Sequence, residues 1–228
     1  RKQLTEIFNK DTVLGEGPDS LTIKQIFVEP TFVENPSYQD LSNPYVLPHI
    51  SQPKKNAIWY YLALEKSPKP LLILGAAGIG KSTLLKHLAL TLADRRKSTE
   101  FKVSYKLPFF LSLSKLGQEM KSDDVLPLED ALQSTIKERW STPPAGWVEH
   151  QLKKDCLILL DGLDEIADSG TRLKVIMQID QYIDRYSKNR FVISSRPLIR
   201  RDNPLEKMTK LGILPFSKKQ IFKFIDNW

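Results

Sequence analysis

Residues Leu71–Thr83 read LLILGAAGIGKST. Four apolar residues give way to a glycine-rich stretch, and leucines at helical spacing follow at Leu84, Leu85, Leu88 and Leu92. That succession is a strand, a tight loop and a helix. Gly75 to Ser82 fit the spacing Gly, four residues, Gly-Lys-Ser, which cradles phosphate groups. Gly75 and Gly80 carry no Cβ, so the backbone turns tightly and comes close to an anion. Successive N–H groups at a helix N-terminus then form the anion nest. The candidate phosphate-binding residues are Gly75, Ala76, Ala77, Gly78, Ile79, Gly80, Lys81, Ser82 and Thr83. Lys81 is long enough to reach the outer phosphates, and the Ser82 hydroxyl is a candidate Mg²⁺ ligand. The chain is expected to bind a nucleoside triphosphate.

At 228 residues the chain suits one large α/β domain, or one domain with an appendage. Its 41% hydrophobic and 27% charged residues are those of an ordinary globular protein. No apolar run is long enough to cross a bilayer, and no secretory signal pattern is present. The first residue is Arg1 rather than Met, which reads as a piece excised from something longer. The single cysteine, Cys156, lies in the run CLILL and reads as a small packed hydrophobe, since one cysteine excludes an internal disulfide. His49, His87 and His150 are scattered and suggest no metal cluster. The net charge of +7 admits nucleic acid as a partner without favouring it. The basic residues come in dispersed pairs such as Lys153-Lys154 and Lys218-Lys219, with no interleaved aromatics for base stacking.

Residues 1–56 differ in texture from the rest. Thr22–Val28 has an alternating character that reads as a short strand, and recurring prolines from Pro30 to Pro53 forbid a long helix. Residues 29–54 are therefore expected to form an extended arm on the surface. From residue 57 the pattern is regular. Strands are expected at Leu71–Gly75, Leu107–Leu113, Cys156–Leu160, Phe191–Ser194 and Leu211–Leu214. Helices are expected at Ala57–Glu65, Lys81–Asp94, Leu128–Trp140, Trp147–Lys153 and Thr171–Tyr186, the last with Leu173, Ile176, Ile179, Ile183 and Tyr186 on one face. Ser217 and Gln220 form a capping-box start for a final helix. Alternating strands and helices imply an α/β three-layer sandwich around a mainly parallel sheet of about five strands. Ligands in such sheets bind at the carboxyl ends of the strands. Gly75–Ser82, Asp161–Glu165 and Ser194–Arg196 all fall at such ends.

Asp161 follows five apolar residues, the position of a carboxylate that holds Mg²⁺ opposite Ser82, directly or through water. The segment DGLDEI adds Asp164 and Glu165, either of which could polarise a water aimed at the γ-phosphorus, Glu165 first and Asp164 second. A polar turn capping the next helix is the plainer reading of these acids. Arg196 closes FVISSRP, where a guanidinium can bond the γ-phosphate. Ser194 and Ser195 are weaker candidates, because serine ends many strands.

The motifs GAAGIGKST, CLILLDGLDEI, FVISSRP and LPFSKKQIFKFIDNW, in this order, resemble the NACHT domain of NOD-like receptors and related bacterial proteins, within the STAND class of P-loop NTPases. The DG-x-DE arrangement is the most discriminating piece, and the resemblance runs from about Ile58 to Trp228. It implies residues 1–56 as an N-terminal segment and arm, 57–214 as the nucleotide-binding domain, and 215–228 as the start of a helical lid. It implies ATP or ADP with Mg²⁺, ATP over GTP, slow hydrolysis and a cytoplasmic switch that self-associates in its full-length parent. Effector and sensor domains would lie outside this chain, and bacterial members are associated with antiviral defence. By the resemblance, Asp161 is the Mg²⁺ aspartate, Asp164 and Glu165 the acidic pair, and Arg196 the sensor arginine. Adenine contacts are expected from the arm, with Phe32 and Val33 as candidates. Two other readings stay open: a nucleic-acid-dependent ATPase and a scaffold that nucleotide only stabilises.

Overall fold

Apolar runs bounded by polar turns can be buried only if their backbone groups pair on both sides, and the five expected core strands find those partners in one sheet. The computed structural model describes residues 13–14, 21–36, 41, 57–63, 69–94, 101, 107–119, 126–139, 142–197 and 207–228. A two-stranded antiparallel ribbon, β1 (Val13–Leu14) and β2 (Leu21–Thr22), precedes a helical turn, α1 (Ile23–Ile26), and a strand, β3 (Phe32–Glu34). After α2 (Ile58–Leu62) come β4 (Leu71–Leu74), α3 (Lys81–Ala93), β5 (Leu107–Ser112), α4 (Leu113–Glu119), α5 (Leu128–Arg139) and α6 (Trp147–Leu152). Then follow β6 (Cys156–Asp161), a single 3₁₀ turn at Leu163–Glu165, α7 (Ser169–Arg185), β7 (Arg190–Ser195), β8 (Thr209–Ile213) and α8 (Lys218–Asn227).

The main sheet has six strands in the order β3-β8-β4-β7-β6-β5. All neighbours are parallel except β3 and β8, which run antiparallel. Side chains alternate across it. Leu157 and Leu159 join Leu71, Ile73 and Val192 beneath Leu84, Leu85 and Leu88 of α3. Ile158 and Leu160 join Leu72 and Ile193 on the other face, against Leu132 of α5 and Val175, Ile176 and Ile179 of α7. The result is the expected three-layer α/β sandwich. A carboxylate pins two outer helices together: the Tyr182 and Tyr186 hydroxyls donate to Glu129 at 2.8 and 2.5 Å. No helix among the described residues is long and apolar enough to cross a membrane.

Several sequence expectations change. The sheet has six strands rather than about five because the arm supplies β3, and Phe32 within it is fully buried. Phe32 pairs with Ile213 and Val33 with Gly212, so this part of the arm is an edge strand rather than a surface strap. An antiparallel edge strand protects the otherwise open side of β8. Thr22–Val28 is mostly the turn α1, where the Gln25 side chain folds back onto the Thr22 N–H at 2.8 Å and favours helix over strand. Leu113, expected to end the second strand, instead opens the helix α4 (Leu113–Glu119), in a stretch for which no helix is expected from the sequence. On α7, Leu173 is 39% exposed, while Val175 and Tyr182 take up the buried face with Ile176, Ile179 and Tyr186. The helical expectation for residues 64–65, the arm beyond Pro36 apart from Leu41, and Trp140 lie outside the described residues.

Because Phe32 fills the layer under α3, Phe32→Ala should destabilise the chain by about 3–5 kcal/mol. Urea unfolding checks this; a loss below about 0.5 kcal/mol, as for a surface position, would show that the arm is not part of the core.

Candidate functional site

The carboxyl ends of β4, β7 and β6 lie side by side, and each delivers one group of polar residues to a single cleft of about 210 Å³. The cleft is lined by Ala77, Gly78, Gly80, Lys81, Ser82 and Thr83 from the loop and α3. Asp161, Gly162, Asp164 and Glu165 follow β6, and Ser194 and Arg196 end β7. Three sequence candidates lie behind this lining. Gly75 and Ala76 present their carbonyls to the Lys81 ammonium, both at 2.9 Å, and Ile79 packs on the apolar layer beneath.

The loop geometry follows from its glycines. Gly80 has φ of +96° and is the N-cap of α3, with its carbonyl accepting from Leu84 N–H at 2.9 Å. A side chain there would be strained by the backbone alone, since a Cβ would meet no atom within 4 Å. The first turn of α3 thus opens straight out of the loop and points its N-terminal N–H groups at the cleft. Burial pushes the Lys81 ammonium below the usual lysine range; Arg196 adds to that, while Asp164, Asp161 and Glu165 oppose it.

The three acids after β6 are held differently. Asp161 ends the strand, and its Oδ1 accepts from the Ser194 hydroxyl at 2.5 Å. Ser194 Oγ in turn accepts from Gly162 N–H at 2.9 Å, so one buried serine joins the ends of β6 and β7. Gly162 takes the left-handed conformation, φ +80°, and a Cβ there would lie 2.8 Å from the Glu165 carboxyl carbon. That turn allows the Glu165 N–H to reach the Gly162 carbonyl at 3.0 Å and start the 3₁₀ turn. Asp164 is tied to Arg196: Oδ1 accepts from the Arg196 backbone N–H at 2.8 Å, and Oδ2 forms an ion pair with Nε at 3.0 Å. Glu165 is the exposed carboxylate of the group. Partial desolvation against the cleft wall raises its pKa above the usual glutamate value, as do the charges of Asp161 and Asp164, against the opposing pull of Arg196 and Lys81.

The charged lining comprises Lys81 and Arg196 against Asp161, Asp164 and Glu165, two cations against three anions. A polyphosphate entering alone would meet net negative charge. A divalent cation accompanying it removes that mismatch, and the Ser82 hydroxyl and Asp161 carboxylate supply hard oxygen donors in the lining. No cluster of three or more metal-ligating side chains exists among the described residues. The donor set therefore fits Mg²⁺ arriving with phosphates, because Mg²⁺ takes few protein oxygens and keeps waters and substrate oxygens.

Ser194 is the residue that sequence reasoning undervalued. Its signal lies in the ends of two strands: aligning ILLD with FVIS puts Asp161 one rung beyond the Leu160–Ile193 pair, level with Ser194. Phe32 and Val33 are not available to a base. Phe32 is fully buried and Val33 is 8% exposed, because β3 is built into the sheet.

The NACHT domain family matches residues 69–228 of the chain. No curated protein matches it. Among solved structures it is similar to C. elegans PCH-2, at 15% identity and a TM-score of 0.45, covering 72% of this chain and 42% of that one. It is similar to AMPPCP-bound DnaA from Aquifex aeolicus, at 17% identity and a TM-score of 0.41, covering 73% and 46%. A Walker-type ATPase of Pyrococcus abyssi aligns at 17% identity and a TM-score of 0.46, covering 74% and 55%. The chain thus spans between 42% and 55% of the length of these structures.

Ser194→Ala removes the donor to Asp161 and the acceptor for Gly162 N–H while changing little volume. It should destabilise the chain by about 1–3 kcal/mol in chemical denaturation. An unchanged midpoint would mean that this bridge between the strand ends contributes nothing to the fold.

Proposed function

The chain belongs to the NACHT domain family, and from that premise we propose that it is the nucleotide-binding and slowly hydrolysing module of a signalling NTPase. Convergence of the Gly75–Ser82 loop, Asp161, Glu165 and Arg196 on one cleft is the observation that carries this reading. Lys81 exchanges its two loop carbonyls for phosphate oxygens and holds the outer phosphates. Ser82 and Asp161 would hold Mg²⁺, whose charge would neutralise the phosphate oxygens. Glu165 orients the attacking water and accepts its proton, a task suited to a carboxylate of raised pKa. Arg196 bonds the terminal phosphate and so separates ATP from ADP.

In this reading residues 57–214 form the nucleotide-binding body, residues 1–56 the arm before it, and 215–228 the first part of a helical lid. The α8 helix supports the last assignment. Ser217 and Gln220 cap it reciprocally, Gln220 Nε2 donates to the Glu29 carbonyl of the arm at 2.8 Å, and Phe222, Ile225 and Trp228 stay exposed. Helix faces of this kind are built to be covered. The proposed activity is a cytoplasmic switch that prefers ATP to GTP and self-associates in its full-length parent, with antiviral defence as its setting. A switch of this kind requires ATP and ADP to bind two states with different affinities.

Two variants test the site. Lys81→Ala should weaken ATP binding about tenfold or more, read by titration of a fluorescent ATP analogue. Unchanged affinity would sink the assignment of the loop. Glu165→Gln should keep ATP binding and lower phosphate release at least about a hundredfold, read in single-turnover hydrolysis. Equal rates in the two proteins would remove Glu165 as the base. Turnover stimulated several-fold by added DNA or RNA would instead favour a nucleic-acid-dependent ATPase.

A further inference from the structure

Asp164 and Glu165 are neighbours in sequence and are engaged in different ways. Asp164 lies in the 3₁₀ turn with its side chain 11% exposed, and both of its oxygens are engaged by one residue on another strand end. Oδ1 accepts from the Arg196 backbone N–H at 2.8 Å, and Oδ2 is ion-paired with the Arg196 Nε at 3.0 Å. The first contact fixes the chain as it leaves β7, one residue before Pro197. The second fixes the guanidinium, which is otherwise 57% exposed. Because that contact is made through Nε, it does not use the two terminal nitrogens, and Arg196 itself lines the cleft. A carboxylate already spent on a backbone amide and a guanidinium is poorly placed to take a proton from water.

We propose that Asp164 is a positioning residue, not a base, and that the site distinguishes ATP from ADP through the Asp164–Arg196 pair rather than through Arg196 alone. This rests on the nucleotide-site reading above. An exposed arginine must give up rotamer freedom to hold a phosphate, and prior clamping of its backbone and Nε removes most of that loss. Asp164 also acts as a negative charge near the phosphates. Removing that charge favours ATP at least as much as ADP, whereas releasing Arg196 weakens contact with the terminal phosphate and shifts the ratio the opposite way. The ratio of the two affinities therefore isolates the positioning role.

The experiment is a double-mutant cycle on that ratio, with ADP and a hydrolysis-resistant ATP analogue titrated into the chain in Mg²⁺. Arg196→Ala and Asp164→Ala should each shift the ratio about tenfold toward ADP, and the double variant no further. Glu165→Gln should keep the ratio of the unaltered chain while losing hydrolysis. Asp164→Asn, which retains an acceptor for the Arg196 N–H but not the charge, should give a smaller shift. It takes the place of Asp164→Ala if circular dichroism shows that variant unfolded. An unchanged ratio in the Asp164 variant, or shifts that multiply in the double variant, would overturn the inference while leaving the nucleotide site intact. Failure of the unaltered chain to bind either nucleotide would overturn both.

Discussion

Hydrogen bonding of β7 to β4 on one side and to β6 on the other holds Leu74 opposite Ser195 and Leu160 opposite Ile193, and the cleft exists because of this register. It makes three strand ends level, so a loop, an acidic turn and an arginine that are far apart in sequence share one space. The register is enforced from both faces. Leu157, Leu159 and Val192 face α3, and Ile158, Leu160 and Ile193 face α7. A slip of one residue would turn each set to the wrong layer. The Ser194 bridge to Asp161 and Gly162 then joins β6 to β7 one rung beyond their last backbone pair, Leu160 and Ile193.

Charge in the cleft is arranged rather than merely concentrated. Three carboxylates within one short turn would repel one another if left to solvent, yet two of them are anchored across to β7, Asp161 through Ser194 and Asp164 through Arg196. Glu165 keeps its place at the rim and feels the other two, which together with partial desolvation raises its affinity for a proton. Lys81 rests meanwhile on carbonyls of its own loop. Asp161, Asp164 and Lys81 thus each have a partner in the protein, Ser194, Arg196 and the loop carbonyls, while Glu165 is the exposed member of the group.

The arm and α8 form a second assembly on the far side of β8. β3 closes the sheet edge through Phe32 and Val33, and Gln220 ties the first turn of α8 to the Glu29 carbonyl.

The sequence by itself determined the five parallel strands, the loop and the acidic turn, because apolar runs, glycine spacing and helical periodicity are local signals with one physical meaning each. Gly75–Thr83, Asp161, Asp164, Glu165 and Arg196 were all legible as candidates on that basis. Only the tertiary structure decided which acid faces which partner. Asp164 and Glu165 look equivalent in DGLDE, and the left-handed turn at Gly162 is what sends one toward Arg196 and leaves the other at the rim. The structure also decided that Ser194 matters and that Phe32 is core, since both depend on strands distant in sequence, Ser194 on β6 and Phe32 on β8. Strand pairing is a long-range choice, made by burial of whole faces, and no local stretch of chain encodes it.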